Sequence, residues 1–131
     1  MILLDTQVVA WLVRRPERVS RPARRAIERE SRSAGLAVAS VTLIELAQMA
    51  ARGDVRIPGT PDAWLRQLVA ESGLVVRELT TEVAAVAAYL PRTFPADPFD
   101  RVIVATAIVE RMPLVTSDAR IQNSGVVKTI W

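Results

Sequence analysis

Short apolar runs alternate with helical stretches along the whole chain, and this alternation restricts the fold more than any other feature. "MILL" (1–4), "GLAVAS" (35–40), "LVVREL" (74–79), "PLVTS" (113–117) and "VVKTI" (126–130) read as strands. Between them, "DTQVVAWLVRR", "RPARRAIERESRS", "SVTLIELAQMAARG", the segment from Pro61 to Ser72, "TTEVAAVAAYLP" and the segment opened by "DPFD" carry helical spacing. Ser40 is the expected N-cap of the third helix and Gly53 its stop, Gly35 ends the second, Pro113 breaks the last, and the Pro-flanked "PRTFPAD" reads as a loop. Parallel neighbours need crossovers of about a dozen residues, which such helices supply. The pattern therefore predicts an α/β fold with a mainly parallel sheet covered by helices on both faces. At 131 residues, without repeats or a linker, the chain forms one domain, 1–131, able to bury roughly two thirds of its unfolded surface.

Composition removes whole classes of chemistry. There is no cysteine and no histidine, which excludes thiolate and imidazole zinc sites, Ser-His-Asp triads and cysteine nucleophiles. Any metal must be bound by oxygen. Half of the residues are hydrophobic, so the chain is not disordered, yet no apolar run approaches the roughly 18 residues of a membrane span. "MILLDTQVVAWLVRRP" places Asp5 early and its basic residues late, the reverse of a secretory signal, so a cytoplasmic protein with no membrane partner is expected. Arginine carries almost all the positive charge, and half of the arginines fall between Arg14 and Arg32. That stretch is suited to phosphate contact, but Glu17, Glu28 and Glu30 interleave with it, and a solvated amphipathic helix explains it equally well.

In parallel sheets ligands bind beyond the carboxyl ends of the strands, where acids gather here. Asp5 follows "ILL", Asp118 follows "LVTS", and Asp97 and Asp100 open the helix leading to that strand. Each has an ordinary alternative as a helix N-cap. Asp97, Pro98 and Asp100 in particular form a favourable helix start, with negative charge at the positive end of the dipole. Asp100, however, shares a face with Ile103, Val104 and Ala107, which draws its carboxylate toward the interior. For Glu45, the stripe Leu43, Leu46, Ala47 and Ala50 points nearly opposite, so periodicity predicts an exposed acid, although Val41 and Ile44 leave room for a second buried surface. Were these acids to converge, each pair of charges ~4 Å apart would repel by about 4 kcal/mol at an effective dielectric of ~20. Such a cluster raises pKa values or recruits a cation, and oxygen donors alone select Mg²⁺ or Mn²⁺.

"LLDTQVVAWL", "SVTLIELA", "DPFDRVIVATAIVERMPLVTSD" and the closing "GVVKTIW", in that order, resemble a PIN-domain ribonuclease of the VapC toxin type. The resemblance implies a three-layer α/β sandwich and an acidic pocket holding Mg²⁺ or Mn²⁺. It further implies endonucleolytic cleavage of RNA, a VapB-like antitoxin as inhibitor, and a homodimer within a toxin–antitoxin hetero-oligomer. By position, Asp5, Glu45, Asp100 and Asp118 match the catalytic and metal-binding acids. Asp97 matches the first acid of the "DPFDR" motif, in a capping or supporting role. Thr6 and Thr116 fall beside the pocket, where they could orient water or substrate, and Arg101 could pair with a carboxylate or a phosphate. Gln7, "RTFPA" and Thr106 stand where related sequences often carry His, histidines and Gln; none is a presumed ligand. Trp11 and Trp64 are open to two readings, as core residues or as docking points for the antitoxin. Two other functions fit the same sequence: a PIN nuclease of RNA processing, and a silent binding module whose acids only cap helices.

Overall fold

A computed structural model describes all residues, 1–131. Five parallel strands, β1 (Ile2–Leu4), β2 (Leu36–Ala39), β3 (Val75–Arg77), β4 (Leu114–Val115) and β5 (Thr129–Ile130), form one sheet in the order β3-β2-β1-β4-β5. Helices α1 (Thr6–Arg14), α2 (Arg21–Ser31), α3 (Ser40–Ala51), α4 (Pro61–Ser72), α5 (Thr81–Tyr89), α6 (Pro98–Val109) and α7 (Ala119–Ser124) make the crossovers. The expected three-layer α/β sandwich is thus found.

Side chains alternate across each strand, which gives the sheet two cores. Ile2, Leu4, Leu36, Val38 and Val115 face Val8 and Val9 of α1, Ala23, Ala26 and Ile27 of α2, and Trp64 of α4. Leu3, Ala37, Ala39 and Leu114 face Ile103, Val104 and Ala107 of α6 and Ile121 of α7. Burial on both sides explains why the strands read as unbroken apolar runs. Trp64 is buried in the first core, whereas Trp11 is half-buried beside it, with its ring 5.8 Å from that of Trp131. The arginine-rich segment forms α2 as an amphipathic helix, with Ala23, Ala26 and Ile27 inward and its arginines exposed.

Three local expectations are corrected. Ser40 is not a cap: β2 runs into α3 without a loop, so Ala39 takes the cap position with extended backbone and Ser40 is already helical. Only two residues each of "PLVTS" and "VVKTI" pair as strand, because the segment between them coils into α7, six residues ended by Gly125 at φ 69°. The sequence reading had no helix there. It is short, and Ile121 is its one buried residue, too little for a periodic signal.

Strand order decides where the site lies. The chain steps outward from β1 to β2 to β3, then returns across the sheet to place β4 on the other side of β1. The crossover direction reverses between β1 and β4, which opens a crevice at their carboxyl ends. Asp5 ends β1, and Thr116 and Asp118 follow β4.

Candidate functional site

An open cleft of about 650 Å³ occupies this crevice, and its lining includes Asp5, Glu45, Asp97, Asp100 and Asp118. Asp5 sits at the N-cap position of α1 but makes no side-chain cap. Its carboxylate, 7% exposed, turns across the switch point and accepts a 2.7 Å hydrogen bond from the Thr116 hydroxyl. Thr116 is fully buried, and its Oγ1 also accepts from the Asp118 amide at 3.1 Å. One hydroxyl therefore ties the end of β1 to the turn after β4. Burial pushes the Asp5 carboxyl above its ordinary pKa, with the Thr116 hydrogen bond pulling the other way.

Glu45 is half-buried, not exposed, and faces the cleft. The Thr6 hydroxyl donates to its Oε1 at 2.7 Å, and Thr6 Oγ1 lies 3.0 Å from the hydroxyl of the fully buried Thr42. The apolar stripe misled because α3 packs against α4, α6, α1 and the sheet at once: Leu43 faces α4, while Thr42 and Leu46 turn toward the sheet and α1. Counting Thr42 as an inward residue moves the buried face to within one helical step of Glu45. Of the two residues expected to flank a second buried surface, Val41 is partly buried against the second core, whereas Ile44 is 49% exposed. Burial raises the pKa of Glu45 against the Thr6 hydrogen bond, and Asp5 and Asp97 add to the rise.

The other side of the cleft is more open. Asp97 caps α6 through Oδ1, accepting from the amides of Phe99 at 2.8 Å and Asp100 at 3.1 Å. Asp100, one turn in, is freed from capping and carries no hydrogen bond to its own carboxylate. Burial, then repulsion from Asp97, Asp5, Glu45 and Asp118, pushes its pKa up to about 7. Asp118 caps α7 by accepting from the Arg120 amide at 2.8 Å, and the Arg120 guanidinium grips both of its oxygens at 3.2 and 2.7 Å. That grip holds the Asp118 pKa below the usual range. The same guanidinium lies 3.8 Å from Asp100, beyond hydrogen-bonding distance.

Other assignments change. Thr6 and Thr116 were expected to orient water or substrate; both instead spend their protons on carboxylates. Arg101 points away from the cleft and donates to the carbonyls of Ala87, Leu90 and Pro95 at 3.2, 2.9 and 3.3 Å, stacked over Phe94. It closes the end of α5 and pins the proline-flanked loop, and it has no carboxylate partner. Thr42 and Arg120 escaped the sequence reading. No sequence signal marks Arg120, because the short helix that places it gives no periodic pattern.

The donor chemistry suits a hard cation: several carboxylates, one of them with its proton affinity raised to near neutrality, and no nitrogen or sulfur ligand. No three of them stand in a finished ligating arrangement.

A switch-point cleft lined by acids on a five-stranded parallel sheet defines a class, and comparison with known proteins agrees with it. A family model described as PIN domain matches residues 2–126, and the chain belongs to that family. Within it, the chain is 39% identical over 132 residues to Ribonuclease VapC22 of Mycobacterium tuberculosis (strain ATCC 25618 / H37Rv), covering 99% of this chain and 98% of that one. The fold recurs in VapBC2 from Rickettsia felis bound to a promoter DNA fragment, with TM-score 0.75, 16% identity and coverage of 98% and 97%. It recurs also in DNA-bound VapBC from Salmonella typhimurium, with TM-score 0.71, 20% identity and the same coverage.

Proposed function

We propose that this protein is a metal-dependent endoribonuclease in which Asp5, Glu45, Asp100 and Asp118 hold Mg²⁺ or Mn²⁺, acting in the cytoplasm as the toxin of a toxin–antitoxin pair. The observation that carries the reading is the meeting of these four acids in one cleft at the switch point, where the Arg120 guanidinium is hydrogen-bonded to Asp118 and stands 3.8 Å from Asp100. Likeness to a ribonuclease supports the reaction class. A bound cation there supplies charge to phosphate oxygens and acidity to water, which lets a chain without histidine hydrolyse a phosphodiester. The chain's own contribution is positional. Thr116 holds Asp5 and Thr6 holds Glu45, so two carboxylates are oriented before anything binds. Asp97 takes over the capping of α6 and leaves both oxygens of Asp100 free for the cleft.

For partners we propose single-stranded or looped RNA as substrate and a VapB-like antitoxin as inhibitor, within a hetero-oligomer built on a homodimer. Solved complexes of proteins with this fold support the antitoxin. Trp64 is too buried to dock one, which leaves Trp11 as the tryptophan of the original pair with surface to offer.

Labelled RNA incubated with the purified protein and Mn²⁺ tests this function. Cleavage is expected with Mn²⁺ and not with chelator, and Asp5→Asn and Asp100→Asn are expected to lower the rate by at least about 100-fold. Variants that cleave as fast as wild type would make the metal-site assignment wrong. Failure of wild type to cleave any of a broad RNA panel would favour a silent binding module.

A further inference from the structure

Among the bases that line the cleft, Arg52 is paired with Asp54 at 3.1 Å, which leaves Arg120 facing the Asp100 and Asp118 end. Its contacts are specific. Nε donates to Asp118 Oδ1 at 3.2 Å, Nη2 donates to Oδ2 at 2.7 Å, and Nη2 stands 3.8 Å from Asp100 Oδ2. The Arg120 amide takes a further site on Oδ1. A carboxylate offers about four acceptor positions, and three on Asp118 are already used.

The fold does not require this arrangement. A cation in the first turn opposes the helix dipole, and α7 is only six residues long. The Arg120 side chain is 66% exposed, so no packing fixes its stem, and an exposed ion pair adds little to stability. Arg101 shows what a structural arginine looks like in the same protein, half-buried with three backbone carbonyls and an aromatic ring as partners. Arg120 has carboxylates alone.

We infer that Arg120 is a tethered counter-cation of the cleft, whose guanidinium competes with the divalent ion for Asp118 and Asp100, so that metal entry is an exchange of one positive group for another. The inference rests on the metal-site reading above. Its consequence is a metal affinity set below what the four acids alone would give. Arg120 acts through the carboxylates and is a positioning residue, not a catalytic one.

Calorimetric titration of the full-length, metal-free protein with Mn²⁺ provides the test, with Asp100→Asn as the control for the site. Arg120→Ala and Arg120→Gln are expected to bind Mn²⁺ about tenfold more tightly than wild type, since each removes one positive charge within a few ångströms of the ion. Arg120→Lys, which keeps the charge but loses the fork, falls between. In wild type, the guanidinium nitrogen resonance of Arg120 is expected to shift during Mg²⁺ titration with the midpoint of metal binding, a measurement that needs no variant to fold. Should wild type bind Mn²⁺, Asp100→Asn weaken it, and the alanine and glutamine variants bind equally or more weakly, the site stands and the inference falls. Should wild type show no saturable binding, or Asp100→Asn leave it unchanged, the site assignment falls and takes the inference with it.

Discussion

Asp5 and Glu45 on one wall of the cleft are each held by the hydroxyl of a buried threonine, whereas Asp100 and Asp118 on the other wall have no side-chain hydroxyl and share the Arg120 guanidinium. The first pair hang from the ends of β1 and the body of α3, where the sheet and its covering helices are densest. The second pair open two helices, one of them barely more than a turn long. The labour is divided: packing and hydrogen bonds set direction on the inner wall, and the exposed Arg120 guanidinium settles the charge on the outer one. This division accompanies opposite pKa behaviour among chemically identical side chains: Asp100 rises through burial and then repulsion from the neighbouring acids, and Asp118 falls because Arg120 grips it.

The strongest way to break this comparison is Thr116→Val, which keeps the shape and deletes the hydroxyl. Asp5 then loses its side-chain donor while remaining 7% exposed. A loss of about 2 kcal/mol in urea unfolding near neutral pH is expected, together with roughly 10- to 100-fold weaker Mn²⁺ binding. Stability equal to wild type would mean that the inner wall does not depend on that hydroxyl. Thr6→Val should act in the same direction but less, because Glu45 is only half-buried and water can reach it. About 1 kcal/mol and up to ~10-fold in metal affinity are expected, read by the same two measurements.

Much of the architecture was legible because parallel strands leave apolar runs and their crossovers leave helical spacing. Asp5, Asp100 and Asp118 were legible for a related reason: they stand at strand ends and a helix start, positions that topology marks without side-chain detail. Glu45 was legible only through the family resemblance, since its direction depends on which of several neighbours α3 presents each stripe to, and a threonine rather than an apolar residue marks the side near the cleft. The place of Arg101, and the presence of Arg120 in the cleft, were hidden for a similar cause. An arginine's partners lie several ångströms from its backbone, so its neighbours in sequence say little about whether the guanidinium ends on carbonyls or carboxylates. Asp97 was resolved by geometry as a cap, the reading its place before Pro98 favoured.

Asp100→Asn gives the most discriminating effect, and in the metal-free protein its effect on stability is opposite in sign to that of the threonine variants. Folding raises the Asp100 pKa from 3.8 to about 7, so between these values the folded chain holds a proton that the unfolded chain has released. Stability therefore falls as pH rises through that window and levels off above it. Asparagine cannot titrate. The metal-free variant should match wild type near pH 4 and exceed it at pH 8 by about 1 kcal/mol, a figure reduced for solvent screening of a partly exposed group. Saturating Mg²⁺ at pH 8 should narrow the gap by stabilising wild type alone, since a ligand of the folded state adds its binding energy to stability. Thermal unfolding at the two pH values, with and without Mg²⁺, reads all of this. A gap that does not open with pH would mean that the charge of Asp100 is already compensated, and the two walls would then differ in exposure but not in kind.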